Sequence, residues 1–273
     1  MGDVCKMSYP VIDSHCHIYP DKIADKAVEG ISNFYDLPMS YNGRATTLIE
    51  EGEKIGVKHN IIFSVATTPK QVSSINSFIS NCVKNGQGRF TGLGSLHPDS
   101  EIIEEDIRNI KELGLKGVKL HPDFQKFRID DEKLYPIYEA CSGNLPILLH
   151  TGDYRYDFSN PQRMKNVLEK FPELTVIGAH FGGWSVWDEA VETLSGYHNF
   201  YVDTCSSFHW LKKDRAVEII RKYGADKVLF ATDFPMWSYE DEFEYLMSLD
   251  LTEEEKRKIL CENAVKLFNI DLL

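Results

Sequence analysis

Short apolar, β-rich runs alternate along this chain with longer stretches whose apolar residues recur every three or four positions. The runs are VIDSH (11–15), NIIFSV (60–65), FTGLGSL (90–96), GVKLH (117–121), PILLH (146–150), TVIGAH (175–180), FYVDT (200–204) and KVLFAT (227–232). Between them the helical period predicts helices over 44–55, 69–84, 100–113, 131–142, 161–170, 185–194 and 212–223. A last helix is expected over 252–267, where Thr252 and Glu255 fit a capping box. Eight strands separated by helices imply parallel strand–helix–strand units, and eight is the number that closes a barrel. The expected fold is therefore α/β: a single, if distorted, (β/α)8 TIM barrel over 1–273. The segment after the first strand, 18–59, is expected to be an extended loop with a short helix ahead of the main one, placed over the barrel mouth. Two Rossmann-like halves are disfavoured by the lack of a GxGxxG after the first strand, of a P-loop and of a Pro/Gly/Ser-rich linker.

Composition narrows the function classes. At 273 residues with 42% hydrophobic residues the chain can bury a large core, yet no apolar run approaches the ~20 residues that span a bilayer. A net charge of −12 without a Lys/Arg block argues against nucleic acid as a partner. Cys5, Cys16, Cys82, Cys141, Cys205 and Cys261 form no CxxC pair. The start, MGDVCKMSYP, has neither a secretory pattern nor, with Lys6, a myristoylation pattern. Reduced thiols, a cytoplasmic location, no membrane partner and a small-molecule substrate are expected, with a homodimer as the default assembly.

The polar residues that interrupt the apolar pattern carry the chemistry. In a strand, positions i and i+2 share a face, so His15 and His17 should project together with Asp13 on the same side, while Cys16 points to the helices. Two adjacent buried imidazoles need either hydrogen-bond partners or a metal ion. His121, His150 and His180 end the fourth, fifth and sixth runs, and Asp233 follows the eighth. A parallel barrel gathers these strand ends at one mouth, where active sites form. Imidazole and carboxylate without cysteine suit an open catalytic site for one divalent ion, zinc first, with manganese or iron as alternatives.

The ordered motifs IDSHCH, GLGSLHP, GVKLHP, ILLHTGD, VIGAHFGG and LFATDFP resemble the metal-dependent amidohydrolase superfamily. The match is to its amidohydrolase-related (family 2) TIM-barrel branch, which also contains aromatic-acid decarboxylases. The resemblance implies that His15, His17, His150 and Asp233 hold the metal and that His180 is an acid/base or a polariser. In two-metal relatives the residue matching His180 binds a second ion, and a carboxylated lysine on the strand of Lys119 bridges the pair. Lys119 otherwise reads as a buried lysine facing an acid or a substrate anion. His121 and His97, each followed by Pro, read as rim residues.

Hydrolysis of an amide, ester or lactone is the expected activity, with Asp233 taking the proton of a metal-activated water and His180 polarising the substrate or protonating the leaving group. Family decarboxylases are usually longer than this chain, so non-oxidative decarboxylation of an aromatic or unsaturated acid stands as the alternative. A non-catalytic metal-binding barrel is the third reading. Arg155 and Arg163 are candidate carboxylate clamps. Trp184, Trp210 and Trp237, with Phe181, Trp187, His209 and Phe234, are candidates for a pocket taking a flat or apolar group. Asp203 is a candidate buried partner of the site.

Overall fold

Residues 9–272 are described in the computed structural model; Cys5, Lys6 and the rest of the opening octapeptide lie outside them. The strands are β1 (Val11–His17), β2 (Val57–Phe63), β3 (Phe90–Gly92), β4 (Gly94–Ser95), β5 (Val118–Leu120), β6 (Ile147–Leu149), β7 (Val176–Gly178), β8 (Phe200–Asp203) and β9 (Val228–Leu229). Every pairing between neighbours in the orders β1–β2–β3 and β4 through β9 is parallel. β3 and β4 are halves of one strand broken at Leu93, whose N–H donates to Ile62 O (2.9 Å). On the far side Ser14 N–H donates to Phe230 O (2.9 Å) and His17 N–H to Phe234 O (2.7 Å), joining β1 to the segment after β9. The ring of eight strands is thereby closed, as the alternation of runs predicts.

Parallel strands buried on both faces must be apolar on both faces. One set of side chains, Ile12, Ile61, Phe63, Leu93, Leu148, Ile177 and Leu229, packs inside the ring with Cys261, Ala264 and Phe268 from the C-terminal helices. The alternate set, including Val11, Ile62, Val118, Leu120, Ile147, Leu149, Val202 and Val228, packs against the outer helices. Lys119, between Val118 and Leu120, therefore points inward.

The strict alternation expected for β1 fails. The pairing of β1 with β2 shifts between Asp13 and Cys16, so Ile12 and His15 both face inward although their parity differs. Asp13 is not on the histidine face. Its Oδ1 accepts from the N–H groups of His15 and Thr232 (3.1 Å each), and its Oδ2 from Thr232 Oγ1 (2.6 Å). Cys16 does face the outer layer, as expected.

The helices are α1 (Asp21–Tyr35), α2 (Ala45–Lys54), α3 (Val72–Asn85), α4 (Ile103–Glu112), α5 (Pro122–Gln125), α6 (Tyr135–Cys141), α7 (Pro161–Lys170), α8 (Trp187–Leu194), α9 (Lys213–Tyr223), α10 (Tyr239–Met247), α11 (Glu253–Arg257) and α12 (Asn263–Phe268). α1 corrects the expected loop with a short helix. Ala24, Ala27, Ile31 and Phe34 lie three or four apart and give it an apolar stripe despite Gly30 and Asn33. α10 was not expected, and the long last helix is interrupted by a π-helical turn at Lys258–Glu262. The Thr252–Glu255 capping box is present. Among the described residues no helix is long and apolar enough to cross a membrane.

The loops after β6 and β7 are joined at Gly152. Trp184 N–H donates to Thr151 O (2.9 Å) and Asp153 N–H to Trp184 O (2.8 Å). Gly152 has φ +87°, and a Cβ there would lie 2.4 Å from Trp184 N and 2.5 Å from Gly183 C. Gly152→Ala is expected to destabilise the protein by about 1–3 kcal/mol, since neither backbone can yield cheaply. A urea midpoint unchanged from the parent protein would contradict this.

Candidate active site

At the C-terminal ends of the strands, β1 presents His15 and His17, β6 is followed by His150, β7 by Ala179 and His180, and β9 leads to Asp233. All five are buried and line one cavity of about 20 Å³ together with His121 and Tyr35. His180 and Asp233 have φ of 61° and 57°, a left-handed conformation that costs a non-glycine residue about 1–3 kcal/mol. Such strain is concentrated where the surrounding structure aims a side chain.

The ring nitrogens are oriented from behind. His15 Nδ1 lies 2.8 Å from Asp203 Oδ2 and donates to it, which leaves Nε2 as a lone pair toward the cavity. There it lies 3.3 Å from His17 Nε2 and 3.4 Å from Asp233 Oδ1, and His17 Nε2 is 3.6 Å from that same oxygen. Ligands bound at 2.0–2.2 Å around a tetrahedral ion stand about 3.4 Å apart, so this trio has the spacing of a metal site. His180 Nδ1 donates to Cys205 O (3.1 Å), and its Nε2 meets His150 Nδ1 at 2.9 Å. Asp203 Oδ1 also accepts the backbone N–H of His180 (2.8 Å). Asp233 Oδ2 accepts from Ser206 Oγ (2.6 Å), which in turn accepts from Trp237 Nε1 (2.8 Å).

Burial sets the charge states. It pushes His15, His17 and His121 well below the usual imidazole range and His150 and His180 down to about 3, with Lys119 or a neighbouring imidazole adding to each. The rings are neutral, the form that offers a lone pair to a metal. Burial raises Asp233 to about 6, against the pull of the Ser206 hydrogen bond and of Lys119. It also lowers Lys119 to about 8, against the carboxylates of Asp233 and Asp203.

Lys119 sits inside the ring, its Nζ 3.3 Å from His15 Nε2 and 5.0 Å from the Phe63 ring centroid. His121 also reaches the cavity, where its Nε2 meets Tyr35 OH (3.1 Å). Its ring stacks on that of His150, centroids 4.1 Å apart at 9°. Donor atoms of His121, Asp123 and His150 cluster within 4.8 Å, but the in-plane lone pairs of two stacked rings run parallel instead of converging. His97 does not line the cavity; its Nδ1 accepts from Asp99 N–H (3.2 Å).

Both arginines are engaged by the chain itself. Arg155 is bidentate to Asp153 (Nε–Oδ1 2.9 Å, Nη2–Oδ2 2.7 Å), donates to Phe34 O (3.2 Å), and lies against the rings of Phe34, Tyr35, Tyr156 and Trp184. Arg163 pairs with Asp130 (2.8 Å) and Asp157 (2.6 Å) away from the cavity. Trp184, Trp210 and Trp237 form one cluster of edge-on contacts, with centroids 5.6–5.9 Å apart. Trp184 reaches the wall beside His150 and His180, whereas Trp210 is 45% exposed.

Four contributors were not read from the sequence: Tyr35, Asp123, Cys205 and Ser206. Asp123, in the LHPDF segment, places Oδ2 3.1 Å from His150 Nε2 behind the cavity, too poorly aligned for a hydrogen bond. Its proximity to His121 in sequence was a usable signal. Tyr35 was hidden because α1 read as loop, and Cys205 and Ser206 follow β8 without any motif.

Known proteins resemble this chain in sequence and in shape. A gamma-resorcylate decarboxylase from Polaromonas sp. is 24% identical over 72% of this chain and 75% of its own. An uncharacterized TIM-barrel protein from Bordetella bronchiseptica superposes with a TM-score of 0.78 at 21% identity, covering 96% of this chain and 99% of that one. A 5-carboxyvanillate decarboxylase from Novosphingobium aromaticivorans, complexed with manganese and 4-hydroxy-3-methoxy-5-nitrobenzoic acid, gives 0.76 at 18% identity, covering 98% and 97%. These likenesses correct the hydrolytic expectation: the Polaromonas and Novosphingobium relatives are decarboxylases. Residues 12–270 match the protein family described as amidohydrolase, and the chain belongs to that family.

Proposed function

We propose that this protein is a divalent-metal-dependent decarboxylase of an aromatic or unsaturated carboxylic acid. The observation that carries the reading is the trio of His15 Nε2, His17 Nε2 and Asp233 Oδ1, 3.3–3.6 Å apart, with His15 held from behind by Asp203 and Asp233 by Ser206. The decarboxylase relative and the manganese in the 5-carboxyvanillate enzyme support it, and they favour manganese over zinc. His15, His17 and Asp233 would hold the ion, with His150 on the wall of the same cavity. When bound, the ion would supply positive charge that attracts and polarises a carboxylate substrate.

Asp233 carries the proton that replaces the carboxylate. The proton is delivered to the carbon bearing the carboxylate, the bond to that carboxylate breaks to release CO2, and its electron pair restores the unsaturated system. The Asp233 carboxylate then regains a proton from water, so the acid R–COO⁻ plus one water yields R–H, CO2 and hydroxide, the last two combining as bicarbonate. His180, held at Nδ1 by Cys205 O and at Nε2 against His150 Nδ1, forms the wall against which the acid is oriented. Lys119 adds positive charge on the barrel side, whereas Arg155 and Arg163 are engaged by Asp153 and Asp130.

The manganese-loaded protein, offered a panel of hydroxybenzoic and unsaturated carboxylic acids, is expected to release CO2 from at least one, with matching loss of the acid's ultraviolet absorbance. No CO2 from any member, with metal bound stoichiometrically, would overturn the proposal.

A further inference from the structure

The cavity at the strand ends is far too small for the body of an organic acid, but a chamber of about 630 Å³ lies beside it. The two share His17, Ile31 and Phe124. The chamber runs between α1 and α3, walled by Ile31 and Phe34 from one helix and Ile75 and Phe78 from the other. This is within the ~300–1,000 Å³ of pockets that enclose ligands much larger than one ring.

Of its polar wall residues, Ser64, Thr67, Gln71 and Ser74 bond within the chain, and Tyr19 brings the one phenol to the wall. Gln71 Oε1 accepts from Thr67 N–H (2.8 Å), Thr67 Oγ1 (2.9 Å) and Thr68 N–H (3.0 Å). Ser64 donates to Ile18 O, and Ser74 to Gln71 O. Lys22 is exposed to solvent, and Ile23 on the chamber wall is 45% exposed. Gly30 lines the chamber from within α1, and a Cβ there would meet nothing within 4 Å. An interior glycine weakens a helix relative to alanine, and at Gly30 the missing side chain yields only space.

We infer that the substrate is an acid with an apolar arm, its carboxylate beside His17 and its arm in this chamber. This rests on the decarboxylase reading for the end of the acid that reacts; the chamber specifies the other end. The test is calorimetric titration of the manganese-loaded protein with 4-ethyl-, 4-butyl- and 4-hexylbenzoate, which reads binding and not turnover. Affinity is expected to rise by up to about fourfold per added methylene, the equivalent of ~0.8 kcal/mol. The rise should flatten in Gly30→Phe and in Ala27→Phe, two fillings made from different turns of α1, each checked for cooperative unfolding.

A flat series in the parent protein, no binding by any member, or a rise that survives both fillings would overturn the inference. CO2 released from a compact aromatic acid alongside a flat series would sink the arm and spare the decarboxylase. A steep series sensitive to both fillings, with no CO2 from any acid, would support the chamber and sink the chemistry.

Discussion

Asp233→Asn is expected to lower CO2 release by about 10²- to 10⁴-fold, the usual span for loss of a positioned proton donor. The substitution is close to isosteric, and asparagine tolerates the left-handed backbone that Asp233 adopts (φ 57°). Ser206 Oγ can still donate to the amide oxygen in place of Asp233 Oδ2. The barrel should therefore keep its far-ultraviolet circular dichroism and its unfolding midpoint. What is lost is the proton, which an amide cannot carry, and one negative charge among three neutral rings. Manganese content measured on the same sample separates the two: retained metal with lost turnover assigns the proton to Asp233. Turnover within tenfold of the parent, with metal bound, would place the proton elsewhere, with His180 the next group to test.

The barrel was legible because its signal is the periodicity of many residues, and no single shift disturbs eight strands. The convergence of the candidate residues was legible for a related reason: a barrel brings strand ends together, so His15, His17, His150, His180 and Asp233 line one cavity because each stands at such an end. What escaped lies where local backbone geometry overrides parity. The shift between Asp13 and Cys16 turned Asp13 away from the histidines toward Thr232, which alternation cannot foresee. α1 escaped because Gly30 and Asn33 dilute its apolar stripe, and with it went Tyr35 and the chamber. The arginines misled in another way. A guanidinium after a strand looks available until the fold brings Asp153 or Asp130 to it. Hydrolysis and decarboxylation call on the same ligands, and the residues at the strand ends do not separate them.

Asp203, read from the sequence as a buried partner, stands behind two groups at once, so its removal should disturb both metal and fold. Its Oδ2 holds His15 in the tautomer that turns Nε2 to the cavity, and its Oδ1 holds the backbone of His180. Asp203→Ala leaves those two donors buried without a partner and removes a negative charge facing Lys119. Burial disfavours the charge of Asp203, and losing it refunds part of that penalty, but deleting one member of a satisfied buried network leaves the others unpaired. A net loss of about 2–4 kcal/mol in stability is expected. Freed of its carboxylate, His15 should bind metal about 10- to 100-fold more weakly, the usual consequence of losing the group that orients a ligating imidazole. Asp203→Asn should separate the effects. Its amide oxygen can keep the His180 N–H while its NH2 faces the His15 N–H, so stability should largely recover and metal affinity should not. Manganese titration followed by electron paramagnetic resonance, with urea unfolding of the same samples, reads both quantities. Parent-like metal affinity in both variants would mean that the packing around His15, and not Asp203, aims the ring.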